Sequence, residues 1–573
     1  MKEYIQILKY LGKYKKIAIL LPVFIMLQVA LEISIPYLVS GIIDKGIGNA
    51  DYNHFLKIGT LMILASIGVI VFGCFTGRYA ATAGTGLTRN LRDKLWSSVQ
   101  EFACEDVERF GTPSLITRMT TDMNYIQNAF LMLQTMLQAP ITIIFALIMA
   151  FKINSRLAII YLFAVPVFAI IIYIISKIAQ KHYQNLLKKY DRMNTSLQEN
   201  LTGVRIVKSL VREDFETKKF CDASSEVREN AVKAERLTSL SNPILQFTVN
   251  VCIVILLWVG GINIISGDMT SGELFSYILY SNQILFQIVL ISMILMPVIN
   301  AQVSIQRVLE IINTETSITN KSGNKEHEIQ DGSIYFRNVS FKYSKENENR
   351  ILSDINMNIN AGDHIAVIGA TGSGKSTLVH LLIRMYDVTE GTLYIGGRDI
   401  KDYDINKLRN DISIVFQNNK IFSGTIRSNL VLGHKDISEK DLDTACKTAQ
   451  AYDFIHASKD GYDYLLTQGG TNLSGGQRQR LCIARALARK PKIMVFDDSM
   501  SALDRATMAK VYSAISENYK DTTIIMITHR MELLEKANRI AIIEKGMLNG
   551  YGTHEELLED NRIYREIYES QRK

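Results

Sequence analysis

Apolar positions in the first 300 or so residues gather into six long runs, at 17–40, 58–77, 130–151, 157–176, 244–265 and 274–299. Each is long enough to cross a bilayer, which takes about 20 helical residues at ~1.5 Å of rise apiece. The first run is too long for a secretory signal, lacks a small-residue cleavage site and is followed by further runs. Basic residues flank the runs unevenly. Lys2, Lys9, Lys13, Lys15 and Lys16 precede the first, and the segments 78–129 and 177–243 are long and rich in Lys and Arg. The other connections are short and poorer in charge, Lys152 and Arg156 excepted, so both termini are expected on the cytoplasmic side.

The two long segments are charged, proline-poor and helix-favouring, and are expected to carry the spans onward into the cytoplasm as helices. Each must turn back near its middle. The breaks fall at Phe110-Gly111-Thr112-Pro113-Ser114 and at Asn200-Leu201-Thr202-Gly203-Val204-Arg205. Ahead of the first run, Tyr4, Ile5, Leu8 and Leu11 share one helical face with lysines elsewhere, the pattern of a short interfacial helix.

The pattern changes after Ile312. Residues 313–332, with Ser317, Asn320, Lys321, Ser322, Gly323, Asn324 and Lys325, read as a polar linker. From 333 to 573, strand-like runs at 333–341, 364–368, 412–416, 493–496 and 523–527 alternate with helical stretches, which predicts an α/β domain on a largely parallel sheet. The expected architecture is an all-α transmembrane domain of six spans with long cytoplasmic extensions (1–312), a linker (313–332) and a P-loop α/β domain (333–573). No internal repeat suggests a solenoid.

Composition agrees with a chain half in the membrane: 47% hydrophobic and 21% charged residues with mean hydropathy +0.08 exclude a disordered or fibrous protein. A net charge of +7 is too mild to argue for a nucleic-acid partner. The six cysteines form no CxxC pair, as expected of buried thiols in a reducing compartment rather than a disulfide framework or zinc site.

The chemistry starts at residues 364–368, which run straight into Gly369-Ala370-Thr371-Gly372-Ser373-Gly374-Lys375-Ser376-Thr377, a strand, then GxxxxGK[ST], then a helix. Such glycines let backbone N–H groups wrap phosphates at a helix N-terminus; Lys375 reaches the β- and γ-phosphates and the Ser376 hydroxyl binds Mg²⁺. A second apolar run, Ile493-Met494-Val495-Phe496, ends in Asp497-Asp498, the first carboxylate standing where an NTPase holds Mg²⁺.

Between these elements lies Leu473-Ser474-Gly475-Gly476-Gln477, followed by Arg478-Gln479-Arg480. This run resembles the signature of ABC ATPases, and with six spans ahead of it the whole chain resembles an ABC exporter half-transporter. The resemblance implies further roles. Tyr343 is similar to the aromatic that stacks on adenine. Gln417 is similar to the glutamine that touches Mg²⁺ and faces the membrane domain, and His529 to the switch histidine on the γ-phosphate. Ser501-Ala502-Leu503-Asp504 resembles the loop that crosses the ATPase dimer, in which Ser474, Gly475 and Gly476 meet ATP held by the other subunit.

One position departs from that pattern. The family places glutamate after the Mg²⁺ aspartate as base toward the attacking water; this chain has Asp498, shorter by one methylene, roughly 1.5 Å. Residues 467–472 lack the glutamate of the fully active pattern, and Met500 replaces its usual threonine. These features resemble the degenerate half of a heterodimeric ABC exporter, which binds Mg²⁺-ATP but turns it over slowly, while its intact LSGGQ completes the partner's site. A homodimer in which Asp498 serves as base, or a mainly regulatory ATP-binding subunit, is the competing reading.

The resemblance also implies coupling turns near 110–118 and 199–207, the second swapped onto the partner's ATPase domain, and export of a drug, peptide or lipid across the cell membrane. Glu32 is the one acid well inside a span, read either as a functional carboxylate or as hydrogen-bonded to a neighbouring helix. Gln28, Gln138, Asn250, Gln283 and Gln287 bridge helices or line a cavity; Met26, Phe145, Phe247, Phe286 and Met293 suit an adaptable apolar pocket or a lipid face. Six spans exclude a soluble ABC ATPase acting on nucleic acid, and fusion of both parts in one chain disfavours a nutrient importer.

Overall fold

The computed structural model describes residues 2–320, 328–343, 349–434 and 436–572. Linker residues Lys321 to Lys325 lie outside them. Two compact units divide the chain: Met1–Gln100 with Pro113–Thr314, and Glu101–Thr112 with Glu315–Lys573.

Helices build the first unit. In chain order they are α1 (Lys2–Leu8), α2 (Lys15–Gly41), α3 (Tyr52–Glu101), α4 (Cys104–Phe110), α5 (Thr112–Met119), α6 (Thr121–Ile153), α7 (Ser155–Thr202), α8 (Val204–Ser209), α9 (Glu213–Ile265) and α10 (Ser271–Asn313), of which α4 belongs to the second unit. Among the described residues five stretches are long and apolar enough to span a membrane: Ile5–Ile47, Tyr52–Glu101, Thr112–Ile153, Gln246–Ile265 and Ser271–Ile291. The remaining expected run, 157–176, lies within α7, where several side chains fall outside the described residues.

Inside this unit Ile25, Val29 and Ile33 of α2 pack with Tyr277, Tyr280 and Ile284 of α10 and Ala146 and Ala150 of α6. Phenol hydroxyls buried in such a core need acceptors, and backbone carbonyls supply them. Tyr280 donates to Ile33 O at 2.9 Å and Tyr161 to Tyr277 O at 2.7 Å. Where the chain leaves α2, the Asp44 carboxylate accepts from Thr270 Oγ1 at 2.7 Å and from Gly272 N at 2.8 Å, tying that end to the start of α10. The long helices α7 and α9 pair through Leu186, Val227 and Ala234 and a 2.8 Å Lys189–Glu226 ion pair. They are joined at Gly203 by α8, the expected second break, which buries none of its residues.

The first turn-back is displaced from its expected place. Residues 101–112, α4 included, belong to the second unit, so of the expected 110–118 turn only 110–112 lies there, while Arg118 pairs with Glu310 of the first at 2.7 Å. The Gly111–Pro113 signal marks only the exit, where Gly111 takes φ 73. Asp106 holds the entry: its buried carboxylate accepts from Ala103 N at 3.0 Å, Thr316 Oγ1 at 3.1 Å and Ser317 N at 3.0 Å.

The second unit is α/β. Its strands are β1 (Ile334–Phe341), β2 (Leu352–Ile359), β3 (His364–Ile368), β4 (Glu390–Ile395), β5 (Arg398–Asp399), β6 (Ile412–Val415), β7 (Gly424–Thr425), β8 (Leu465–Leu466), β9 (Ile493–Asp497), β10 (Thr523–Ile527), β11 (Arg539–Glu544) and β12 (Met547–Gly552). Six form a sheet in the order β12-β11-β3-β10-β9-β6, parallel except for the β11–β12 hairpin. Its central strands are covered on both faces and therefore read as unbroken apolar runs. The 333–341 run instead enters a separate antiparallel sheet, β2-β1-β4-β5, in which β1–β2 and β4–β5 are local hairpins and β1–β4 pairs across the intervening β2, β3 and phosphate-loop helix.

Candidate functional site

Strand β3 delivers the chain into residues 369–374, and helix α11 (Lys375–Leu382) opens immediately behind them. The loop can be made only with glycine at two positions. A Cβ on Gly369, at φ 155, would lie 2.1 Å from Ile543 O, and one on Gly374, at φ 103, would lie 2.7 Å from Leu352 Cδ2. Thr371 and Gly372 are exposed at its tip, and buried Ser373 Oγ has no hydrogen-bond partner among the described residues. Lys375 Nζ donates to Gly369 O and Ala370 O, both at 2.8 Å. Burial holds this amine below the ordinary lysine range, with Asp497 and Asp498 opposing the shift.

Asp497 ends β9, and its Oδ1 accepts from Ser376 Oγ at 3.1 Å. Burial raises this carboxylate above the usual range, against the Ser376 hydrogen bond and His380. A hydroxyl and a desolvated carboxylate converging at the mouth of a glycine-bounded loop fit a Mg²⁺-bound triphosphate. Asp498 follows at φ 44, its N–H donating to Ile527 O of β10 at 3.1 Å, which ties 498 to the strand end two residues before His529. His529 and Gln417 are exposed after β10 and β6 respectively.

Tyr343, just past β1, is 38% exposed and shares a hydrogen bond of 3.0 Å with Thr377 Oγ1, so the aromatic is fixed to the helix that opens at Lys375. The structure thus gathers Tyr343, 369–377, Asp497 and Asp498. Ser474–Gln477 stand apart: Ser474 caps the helix Gly475–Leu487, taking Gln477 N at 3.2 Å and giving its own N–H to Gln477 Oε1 at 2.9 Å. That reciprocal cap leaves the backbone at Gly475 open, and a Cβ there would meet nothing within 4 Å. Met500 is buried in the core.

Two features escaped the sequence. Arg530 reaches back to Ser501 O at 2.7 Å and Leu503 O at 2.9 Å, joining the residue after His529 to the 501–504 loop. Tyr386 and His380 flank Tyr343 and Asp497 as ordinary-looking residues with no motif to mark them. In the first unit, Gln28, Gln283 and Gln287, already singled out in the sequence, each bury an Oε1 without a partner among the described residues.

Comparison with known proteins places these elements. The ABC transporter transmembrane region family matches residues 18–289 and the ABC transporter family residues 352–501. The central domain of helicase HerA also matches 302–386, a stretch that includes the phosphate loop. The chain is 35% identical over 568 residues to the uncharacterized ABC transporter ATP-binding protein YfiB of Bacillus subtilis, covering 98% of each. It is 31% identical over 561 residues to the ATP-dependent lipid A-core flippase of Desulfotalea psychrophila, covering 97% of each. A bacterial Atm1-family ABC exporter solved with ATP bound superposes with TM-score 0.83 at 22% identity, covering 97% of this chain and 98% of that one.

Proposed function

The chain belongs to the ABC transporters, membrane proteins whose ATPase domain uses ATP with Mg²⁺, and from that premise we propose that it is the slow half of a heterodimeric exporter of an amphipathic compound. The observation that carries this reading is Asp498 directly after Asp497. The retained carboxylate is one methylene short of the attacking water, and a misplacement of about 1 Å costs on the order of 100-fold in rate. Binding needs none of that reach. The phosphate loop, Lys375 and Tyr343 hold ATP, and Ser376, Asp497 and Gln417 would hold the Mg²⁺ that would offset its phosphate charge. His529 contacts the γ-phosphate.

Residues Ser474, Gly475 and Gly476 complete the site of the partner subunit. The exposed apolar side chains around α8, namely Val204, Ile206, Leu210, Val211 and Phe215, suit burial against the partner's ATPase domain. Six spans with both termini cytoplasmic, and a lipid or similarly amphipathic cargo, fit the basic flanks and the kinship with a lipid flippase.

ATP turnover of the purified chain in lipid, beside Asp498→Glu and Asp498→Asn, tests it. A nearly inactive wild type awakened by Asp498→Glu supports the slow half. Brisk wild-type turnover abolished in Asp498→Asn makes the chain a homodimer with Asp498 as base, the reading that the retained His529 favours.

A further inference from the structure

Tyr386, 5% exposed, lies between two parts of the second unit with different histories. Its ring meets Tyr343 edge to face, with centroids 5.0 Å apart at 88°, and Phe341 at 5.6 Å. Phe341 meets Tyr343 in turn at 4.9 Å and 84°, so three rings interlock. At its far end the Tyr386 hydroxyl donates to Glu108 Oε1 at 2.9 Å. Glu108 is on α4, the turn that links apolar helices α3 and α6 by way of α5.

Edge-to-face contacts are directional, and a phenol donating to a carboxylate makes a charge-assisted bond. A close-packed ring cannot absorb the movement of its neighbour by leaving a void. Any reorientation of Tyr343 against a flat base is therefore felt by Tyr386, and through its hydroxyl by Glu108. The bond from Tyr343 to Thr377 adds the phosphate-loop helix to the same chain of contacts.

The geometry points to Tyr386 and Glu108 as positioning residues that report occupancy of the base site to α4. This rests on the reading of Tyr343 as the adenine-stacking aromatic. Neither residue touches nucleotide; they act through Tyr343.

The test is amide exchange of residues 104–110 in the full-length protein in lipid discs, with Mg²⁺-ATP or with Mg²⁺-tripolyphosphate, which has no base. ATP slows that exchange at least about threefold more than tripolyphosphate in the wild type. Tyr386→Phe keeps the ring and removes the donor; it abolishes the difference while ATP affinity stays within about twofold. Glu108→Leu does the same, and Glu108→Gln, which still accepts, restores the response. An unchanged response in Tyr386→Phe, or a response lost equally in Glu108→Gln, overturns the relay. Tyr343→Leu separates the underlying reading: ATP affinity unaltered by that change sinks adenine stacking itself, whereas weakened ATP beside an unaffected Tyr386→Phe response sinks the relay alone.

Discussion

Asp498 combines a short side chain with a left-handed backbone, φ 44, a region that aspartate enters more readily than most residues. Replacing it by glutamate lengthens the reach and adds a modest backbone cost. The expected net result is a rise in ATP turnover on the order of 10- to 100-fold with ATP affinity within about twofold, read by steady-state hydrolysis. His364, at the start of β3, offers a separate test. Burial holds its imidazole below the ordinary value, with Asp363 opposing, and Nδ1 lies 2.9 Å from the Tyr512 hydroxyl. The folded chain thus takes up this proton less readily than the unfolded one. Its contribution is complete above the unfolded value of about 6.5 and is lost as pH falls through the lower folded value. Melting temperature drops on acidification across that window, and His364→Asn flattens the drop; identical slopes would clear His364 of the effect. At this scale the phosphate loop, Asp497 and Asp498 were legible because the motif and the chemistry coincide in consecutive residues. Tyr386 and Arg530 were not, since their roles come from partners 278 residues before and 27 or 29 residues before them.

Elements show the same division between local and distant causes. The α7–α8 break was readable because Gly203 interrupts an otherwise helix-favouring stretch. The turn at α4 was misplaced because its entry, Phe102-Ala103, contains neither Gly nor Pro; Asp106 organises it through Thr316 and Ser317, 210 and 211 residues away. Asp106→Ala strands the buried Ala103 N–H, at about 1–3 kcal/mol, and the part-buried donors of Thr316 and Ser317 at less, and opens the 101–112 segment to limited proteolysis ahead of the strands of the six-stranded sheet. Protection unchanged from wild type would show that helix packing alone holds α4. In the first unit, a Cβ on Gly272 would fall 2.6 Å from both Asp44 Oδ2 and Ser40 O. Gly272→Ala therefore pries the start of α10 from the end of α2, and thermal stability in lipid falls by about 1–3 kcal/mol. Long apolar runs announced these helices plainly, but which glycine lets two of them meet is a property of the pair.

At the scale of the molecule, periodicity and composition sufficed for the order of parts, an apolar helical unit followed by a P-loop α/β unit. They did not show that the second unit draws on two separated pieces of chain, Glu101–Thr112 and Glu315–Lys573. That division governs synthesis as well as structure. Glu108 leaves the ribosome 278 residues ahead of Tyr386, roughly 15–55 s at about 5–20 residues per second, and waits that long for its surroundings to exist. The same interval makes any fragment starting at Glu315 an incomplete fold: it lacks the α4 segment, and Tyr386 and the core beside Cys104 lose their cover. Such a fragment is expected to aggregate more readily than the full chain, and to gain soluble yield when residues 101–112 are supplied by fusion. Equal yields with and without them would show that the early-made piece is dispensable to the late-made one.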